Sequence, residues 1–493
     1  MADISIKLKP RAVGAALATA LAVLVWYAIQ FHPLDLSIYL WGGHAVGQDA
    51  RLYLVQAHRN WFTYPPFAAA VFAPLAALPA VVVQVAWELA SVAALAWSAR
   101  ITLELAGYWP PGRAAQARLL AAVAGGSLLL EPVYHTLYLG QVNLFLLALV
   151  LTDVRRAASG RAAGIGVGLA AAMKLTPAIF VIFFLLARRT RAAATAAATF
   201  AGCGLAGYLI APHASRLYWT RLFYDVRRVY APYVSNQSLY GAVSRIAGGD
   251  AHVPGWYLVL PLTVGAIGLA TAAAAARRGD WLGGAAATGI TGLLVSPISW
   301  SHHWVWIIPA LAVLLRAGHR AAAAGGALLF ALAVPWWTLH APLGFHGLVT
   351  VVGNSYLLAG LAFLGWLGGQ ALVPRTAPSD ELRPEVGDLA VAGQRHGPAH
   401  VRLEQRHDLV HAALPAGAQP VQERPPGHAG AGAERDRLDD VTAPAHAAVA
   451  DDLDPVPDRV GDRRDELQDG GRAVQLPSAV IRQGDRIDAR IRG

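Results

Sequence analysis

Apolar segments recur at short intervals along this chain, and several reach the length that a helix needs to cross a bilayer, about 20 residues. They lie near 11–31, 66–82, 84–105, 119–139, 141–153, 162–187, 192–212, 256–275, 281–297, 303–316, 321–338 and 348–373. Because an unpaired backbone group is costly in hydrocarbon, such segments fold as helices and not as open strands. We expect an all-α polytopic membrane protein whose first segment is a retained anchor.

Two parts of the chain differ in composition. Residues 1–374 carry 24 Lys or Arg against 10 Asp or Glu, whereas residues 375–493 carry 16 Arg against 21 acids and lack Phe, Trp and Tyr. Without aromatic residues the tail has little with which to build a core, so we expect disorder. Its composition is equally typical of an unselected reading frame in a GC-rich gene. The sequence leaves both explanations of the tail open.

Basic clusters in the loops predict the topology, because such clusters stay on the cytoplasmic side. All of them fall inside only if 66–82 is a broken or re-entrant element and 162–187 is a pair of short helices turning near 173–177. We therefore expect about ten full crossings plus two broken elements. The positive charge is explained by cytoplasmic loops, so nucleic acid is not an expected partner.

Asp35 follows the first apolar segment and is one of few acids in the first part of the chain. An acid at a membrane boundary carries a desolvation cost and is therefore a candidate for function. We interpret Asp35 as a general base, with the N-cap of a short interfacial helix as the alternative. The topology leaves Asp49, Glu131, Asp225 and Asp250 as the other acids on the outer face.

Polar side chains in two further outer segments are candidates for substrate binding. Tyr64 lies in an aromatic and proline-rich cluster that opens the broken segment, where it either anchors the interface or lines a groove. Gln141 and Asn143 enter an apolar helix from its outer end. Buried amides need partners, so these two side chains either serve helix packing or bind a sugar.

Lys174 lies in the predicted turn of the second broken element, where it either snorkels or binds a phosphate. Asn236 and Gln237 lie in the long outer loop. His302 and His303 end a dense polar group, and they bind a phosphate, handle protons or stabilise the fold. A metal site would need further ligands nearby, so no metal cofactor is expected.

Six motifs, in this order, resemble one family. They are Asp-Leu-x-x-Tyr (35–39), Tyr-Pro-Pro (64–66), Gly-Gln-Val-Asn (140–143), Lys-Leu-Thr-Pro (174–177), Asn-Gln-Ser (236–238) and Ser-Pro-x-Ser-Trp-x-His-His (296–303). Together they are similar to the GT-C polyprenyl-phosphate-sugar glycosyltransferases of family 87, which include actinobacterial α-(1→2)-mannosyltransferases. The resemblance implies a multi-helix GT-C bundle, Asp35 as the base, and Lys174, His302 and His303 near the donor phosphate. A second acid close behind Asp35 is absent.

The resemblance implies inverting transfer of mannose from polyprenyl-phosphate mannose to a mannosylated glycolipid, forming an α-(1→2) link. The expected partners are the polyprenyl-phosphate donor, the glycolipid acceptor and the bilayer. The expected location is the plasma membrane, with the site on the extracytoplasmic face. An arabinofuranosyltransferase of the same family is an alternative that the motifs do not separate. A lipid or solute transporter is the third hypothesis, although no internal repeat supports it.

Overall fold

The computed structural model describes Trp26, residues 29–49 and residues 51–372. Most of the predicted anchor at 11–31 and the tail at 375–493 lie outside the described residues. In the described part the regular structure is helical, and strand pairing is limited to two isolated bridges, Ala57 with Asn60 and Asn236 with Trp300. The predicted all-α class is confirmed for this part of the chain.

Eighteen α-helices are bounded within the described ranges. They are α1 Leu34–Ala45, α2 Arg51–Leu54, α3 Pro66–Ala76, α4 Ala80–Ala106, α5 Arg113–Ser127, α6 Glu131–Leu139, α7 Asn143–Ala158, α8 Ile165–Met173, α9 Ile179–Leu186, α10 Thr190–Ile210, α11 Pro212–Leu217, α12 Leu239–Ile246, α13 Val259–Arg277, α14 Trp281–Val295, α15 Ile307–Arg316, α16 Arg320–Ala331, α17 Gly347–Gly353 and α18 Ser355–Leu372. Short 3-10 helices at Thr176–Ala178 and Ser301–Trp306 carry parts of the candidate site.

Three uninterrupted helical segments are long and apolar enough to cross a membrane: Ala80–Ala106, Thr190–Ile210 and Gly255–Arg277. The pair α5 and α6 is bent by 78°, and the pair α17 and α18 is bent by 73°; counting each bent pair as one span gives five among the described residues. These helices fit a polytopic membrane protein. Counted by helix length and apolar composition, the described residues do not reach the expected number of about ten crossings, and that number stays a prediction.

Both predicted breaks are present. Helix α3 ends at Ala76, and α4 begins at Ala80 after Pro79, so only residues 80–82 of the predicted 66–82 element belong to the long helix. Helices α8 and α9 are separated by Lys174, which is extended (φ −152°, ψ 126°), and by the 3-10 turn that begins at Thr176. Proline explains both breaks, since it cannot donate to a helix interior and restricts the residue before it.

The apolar pattern predicted 119–139 and 348–373 as continuous segments, and the structure bends both. The chain turns at 128–130 before α6 restarts with Pro132 in its first turn. The second bend lies at Asn354, whose side-chain oxygen accepts a hydrogen bond from Arg245. Apolar composition alone does not register these bends, because the turning residues are themselves apolar or are single polar residues.

Helix α14 is the central helix of the fold, since every residue from Trp281 to Leu294 is buried. Glycine permits this packing. A Cβ at Gly289 would lie 2.1 Å from the Trp306 ring, and one at Gly268 would lie 2.1 Å from Thr291 Oγ1. Because α14 is held on all sides, the chain that leaves it at residue 296 is fixed where it enters the candidate site.

Candidate active site

Asp35 lies in the first turn of α1 and makes no capping hydrogen bond. The N-cap residue is Pro33, so the N-cap alternative for Asp35 is wrong in position. Its Oδ2 instead accepts a hydrogen bond of 2.8 Å from Gln141 Nε2, across 106 residues of sequence. Burial raises the pKa of Asp35 above its usual value; the hydrogen bond from Gln141 and the charge of Lys174 partly offset this effect. A raised pKa makes the carboxylate a stronger base.

Gln141 connects Asp35 to two tyrosines and a lysine. Its Nε2 also donates to Tyr64 Oη at 3.0 Å, and its Oε1 accepts from Tyr39 Oη at 2.7 Å. Lys174 Nζ approaches the same Oε1 at 3.5 Å and lies 5.8 Å from the centre of the Tyr64 ring. Both ends of the amide are therefore engaged, and its orientation toward Asp35 is fixed. Tyr39 belongs to the Asp-Leu-x-x-Tyr motif but is not among the predicted site residues. Its position four residues after Asp35, one helical turn on, is the sequence signal that places the two on one helix face.

Gly140 allows α1 to approach Gln141. It ends α6 in the left-handed conformation (φ +66°, ψ 35°). A Cβ there would lie 2.7 Å from the Leu36 Cβ and 3.0 Å from the Pro33 Cβ. Its carbonyl accepts a hydrogen bond from Trp87 Nε1 at 2.9 Å. Glycine adopts this conformation without the steric cost of a side chain, so the turn places Gln141 against the first turn of α1.

Lys174 faces neutral acceptors and not a carboxylate. Its Nζ lies 3.1 Å from Asn143 Oδ1 and 2.8 Å from His303 Nε2. Among the ion pairs of the described residues, none involves Lys174. Burial lowers the pKa of Lys174 to about 7, and the charge of Asp35 partly offsets this effect. A bound anion would favour the protonated form, so the side chain is a suitable site for an anion.

His302 and His303 lie in the 3-10 helix Ser301–Trp306 beside Lys174. The His302 carbonyl accepts hydrogen bonds from Thr136 Oγ1 at 2.9 Å and from Asn143 Nδ2 at 2.8 Å, which fixes the backbone. Both ring nitrogens of His302 are buried without a hydrogen-bond partner, and so is Nδ1 of His303. Unpaired buried nitrogens of this kind are costly unless a ligand engages them.

An apolar cavity opens beside this polar group. Its polar lining comes from Asn143, Lys174, His303 and Thr176. The remaining walls are mostly apolar and are formed by Leu146, Leu147, Val150, Pro177, Ile179, Phe180, Gly289, Gly292, Leu293, Val305 and Trp306. The cavity therefore offers a lysine, a histidine and one amide at one part of its lining and hydrocarbon at the rest, as an amphiphilic ligand requires.

The predicted site residues Asn236 and Gln237 are not joined to Asp35 by any contact among the described residues. Both are fully buried. Asn236 bonds the carbonyls of Ala231 and Pro297 and accepts from the Ser299 amide. Gln237 Nε2 donates to the carbonyls of Val234 and Gly353, and its Oε1 accepts from the Tyr356 amide. Their side-chain amides are therefore engaged by backbone groups of the protein. These hydrogen bonds fix the segment that leads to the two histidines.

Three of the other outer acids have structural partners. Asp49 accepts from the backbone amides of His213 and Ala214 at the start of α11. Asp225 accepts from the Arg227 amide. Glu131 is buried and accepts four hydrogen bonds, from His135, Ser301, Trp336 and Tyr356. No group of three or more His, Cys, Asp or Glu side chains arranged for a metal ion occurs in residues 29–49 and 51–372.

Comparison with known proteins identifies relatives of this chain. Residues 62–297 match the model of glycosyltransferase family 87. A Mycolicibacterium smegmatis protein is 36% identical over 68% of this chain and 84% of its own length; it is named polyprenol-phosphate-mannose-dependent α-(1-2)-phosphatidylinositol pentamannoside mannosyltransferase. A Mycobacterium tuberculosis protein is 33% identical over 74% of this chain and 91% of its own length; it is named polyprenol-phosphate-mannose-dependent α-(1-2)-phosphatidylinositol mannoside mannosyltransferase.

No solved structure matches this chain. The extent of these matches, together with a carboxylate, a lysine and two histidines gathered from distant motifs, leads to one conclusion: this chain is a glycosyltransferase that belongs to glycosyltransferase family 87.

Proposed function

We propose that this protein transfers mannose from polyprenyl-phosphate mannose to a phosphatidylinositol mannoside and forms an α-(1→2) link. The observation that carries the proposal is the hydrogen-bonded group of Asp35, Gln141 and Lys174 beside an apolar cavity. The named activities of the mycobacterial relatives support the donor and the linkage. The acceptor class is taken from the same names.

The reaction needs one base and one site for an anion. Asp35 accepts the proton of the acceptor hydroxyl as its oxygen attacks C1 of the mannosyl group. The bond between C1 and the phosphate oxygen breaks, and its electron pair remains on that oxygen, which yields polyprenyl phosphate. Inversion at C1 converts a β-linked donor into an α-linked product. Because phosphate is a good leaving group, a second carboxyl acid is not needed, in contrast to glycoside hydrolysis.

We assign the donor phosphate to Lys174 and His303. Their side-chain nitrogens are 2.8 Å apart, and both line the cavity. Positive charge and N–H donors at this position stabilise the negative charge that develops on the phosphate oxygen. His302 lies beside them with its ring nitrogens unpaired. The apolar walls suit the first isoprene units of the lipid, whereas Gln141, Asn143 and Tyr64 are proposed to contact the sugar or the phosphate.

The membrane arrangement is part of the same proposal. A GT-C bundle with about ten crossings in the plasma membrane would place Asp35, Lys174 and the histidines on the extracytoplasmic side. The three to five span candidates and the family support the membrane assignment. The positions of the basic loops support the orientation.

Replacement of Asp35 by Asn tests the base. Purified wild-type protein in lipid nanodiscs should transfer labelled mannose from polyprenyl-phosphate mannose to a phosphatidylinositol mannoside, and Asp35→Asn should reduce kcat by at least about 100-fold, the lower range for general base catalysis. The matched control is Asp49→Asn, an outer carboxylate that accepts backbone amides of α11. Near-normal turnover by folded Asp35→Asn protein would remove Asp35 from the mechanism. No transfer by the wild type with this donor would refute the proposed function.

A further inference from the structure

A buried carboxylate contacts the 3-10 helix that carries His302 and His303, and it orients another histidine. Glu131 is 2% exposed. Its Oε1 accepts from Ser301 Oγ at 2.6 Å and from Trp336 Nε1 at 3.2 Å, and its Oε2 accepts from Tyr356 Oη at 3.2 Å. His135 Nδ1 lies 2.7 Å from the same Oε1, one helical turn along α6. A buried carboxylate is costly unless it is fully hydrogen-bonded, and this one is.

The His135 ring has one free nitrogen. Since Nδ1 faces Glu131, Nε2 lies on the opposite side of the imidazole, and it has no hydrogen-bond partner within the described residues. The ring packs edge-on against His302, with centroids 5.1 Å apart, and against Trp336 at 5.4 Å. The side chain is 13% exposed. The ring is therefore held in place while one nitrogen remains available to a ligand.

His135 belongs to the same electrostatic environment as the proposed base and the proposed phosphate site. It lies close enough to Asp35 for its charge to act on that carboxylate, as the charge of Lys174 does. It also acts on His302 and His303. Whenever Lys174 and His135 carry a proton, each of them lowers the pKa of Asp35.

Glu131 does not depend on His135 for its hydrogen bonds. Three donors from other elements, Ser301, Trp336 and Tyr356, already engage its two oxygens. A purely structural role would therefore be served without an imidazole at position 135. What His135 adds is an oriented ring nitrogen directed away from the carboxylate, beside two histidines with unpaired nitrogens of their own.

We propose that His135 is a further catalytic residue, which donates a hydrogen bond from Nε2 to the phosphate of the sugar donor, and that Glu131 is its positioning residue. This inference rests on the proposed function. In the imidazolium form both nitrogens carry hydrogen: Nδ1–H donates to Glu131, and Nε2–H remains for the anion. As the bond between C1 and oxygen breaks, the electron pair moves to the phosphate oxygen, and His135 stabilises that charge without giving up its proton.

The test is the replacement of His135 by Gln, which leaves the three other donors to Glu131 in place. We expect the donor KM to rise at least about tenfold, the effect of losing one hydrogen bond to a charged group. The inhibition constant of polyprenyl phosphate should rise in parallel, whereas the acceptor KM should stay near its wild-type value. The matched control is His213→Gln: this histidine also contacts a carboxylate through Nδ1, at 2.8 Å from Asp49, but is exposed and outside the candidate site.

Glu131→Gln tests the positioning role. It should weaken donor binding through the misplaced imidazole, and the double variant with His135→Gln should be little worse than His135→Gln alone, because both changes remove one interaction. An unchanged donor KM and product inhibition constant in folded His135→Gln protein would overturn the proposal. So would a rise confined to the acceptor KM. If wild-type protein neither uses the donor nor binds polyprenyl phosphate, the proposed function itself fails, and the two failures are thereby distinguished.

Discussion

The hydrogen bond between Gln141 and Asp35 makes a quantitative prediction about the pH dependence of transfer. Gln141→Leu removes the 2.8 Å bond from Nε2 to Asp35 Oδ2. A hydrogen bond to a charged group contributes about 1.5–3 kcal/mol, and one pKa unit corresponds to about 1.4 kcal/mol. Loss of the bond should therefore raise the pKa of Asp35 by about 1 to 2 units.

The sign follows from which form of the carboxylate is active. The bond stabilises the ionised form and so lowers the pKa of Asp35, against the effect of burial, which raises it. A general base must be ionised, so activity is lost as pH falls through its pKa. In Gln141→Leu the acidic limb of the profile of kcat/KM should move to higher pH by about 1 to 2 units, and activity should recover above it.

Gln84→Leu is the matched control for this measurement. Gln84 and Gln141 are each 2% exposed. Gln84 Nε2 donates to the carbonyl of Phe31, a neutral acceptor, so its loss should leave the acidic limb in place. The profile is measured for donor-limited transfer with folded protein in nanodiscs. An acidic limb that stays in place, or moves to lower pH, in Gln141→Leu would refute the assignment of that limb to Asp35.

Three further predictions follow from the same geometry. Gly140→Ala should destabilise the fold by at least about 1–2 kcal/mol because of its positive φ, and it should also reduce mannosyl transfer. The control is Gly107→Ala, at φ +77° with open space around it, which should lower only the melting temperature. Asn236→Ala should lower the melting temperature through about 2–3 kcal/mol of lost hydrogen bonds but leave the donor KM of the folded protein unchanged. A raised donor KM would instead indicate that Asn236 contacts the substrate. The control is Asn60→Ala, which removes an exposed hydrogen bond. Lys174→Gln should raise the donor KM by about 10-fold or more without changing the acceptor KM, and an effect on the acceptor alone would contradict a phosphate role.

The sequence indicates the polar side chains around Asp35 and Lys174 because polar groups are conspicuous in an apolar chain. Asp35, Lys174 and His303 belong to separate motifs. In the structure Gln141 contacts Asp35 and Lys174, and Lys174 contacts His303. Asn236 resembled them in the sequence, but its amide is used entirely by the backbone. Residue type alone does not distinguish an amide that faces a ligand from one that supports the chain, since both are buried and both are polar.

The sequence does not identify His135 as a site residue, because its proposed role depends on a partner side chain. The spacing of Glu131 and His135, four residues apart, was visible and predicts neighbours on one helix face. The sequence does not indicate the bend between α5 and α6, because residues 128–130, where the chain turns, are apolar. With 119–139 taken as one continuous segment, the direction of the Glu131 and His135 side chains relative to Asp35 could not be predicted.

The surroundings of Lys174 keep its amine apart from the carboxylate of Asp35. Its ammonium group contacts an amide oxygen and an imidazole nitrogen, whereas the nearby carboxylate of Asp35 is held by Gln141. A direct ion pair between Asp35 and Lys174 would neutralise both, leaving a weak base and a weak anion site. Separation by the Gln141 amide keeps the carboxylate available to a hydroxyl proton and the ammonium available to a phosphate. The two charges can then act on the two ends of one transfer, the attacking oxygen and the leaving oxygen.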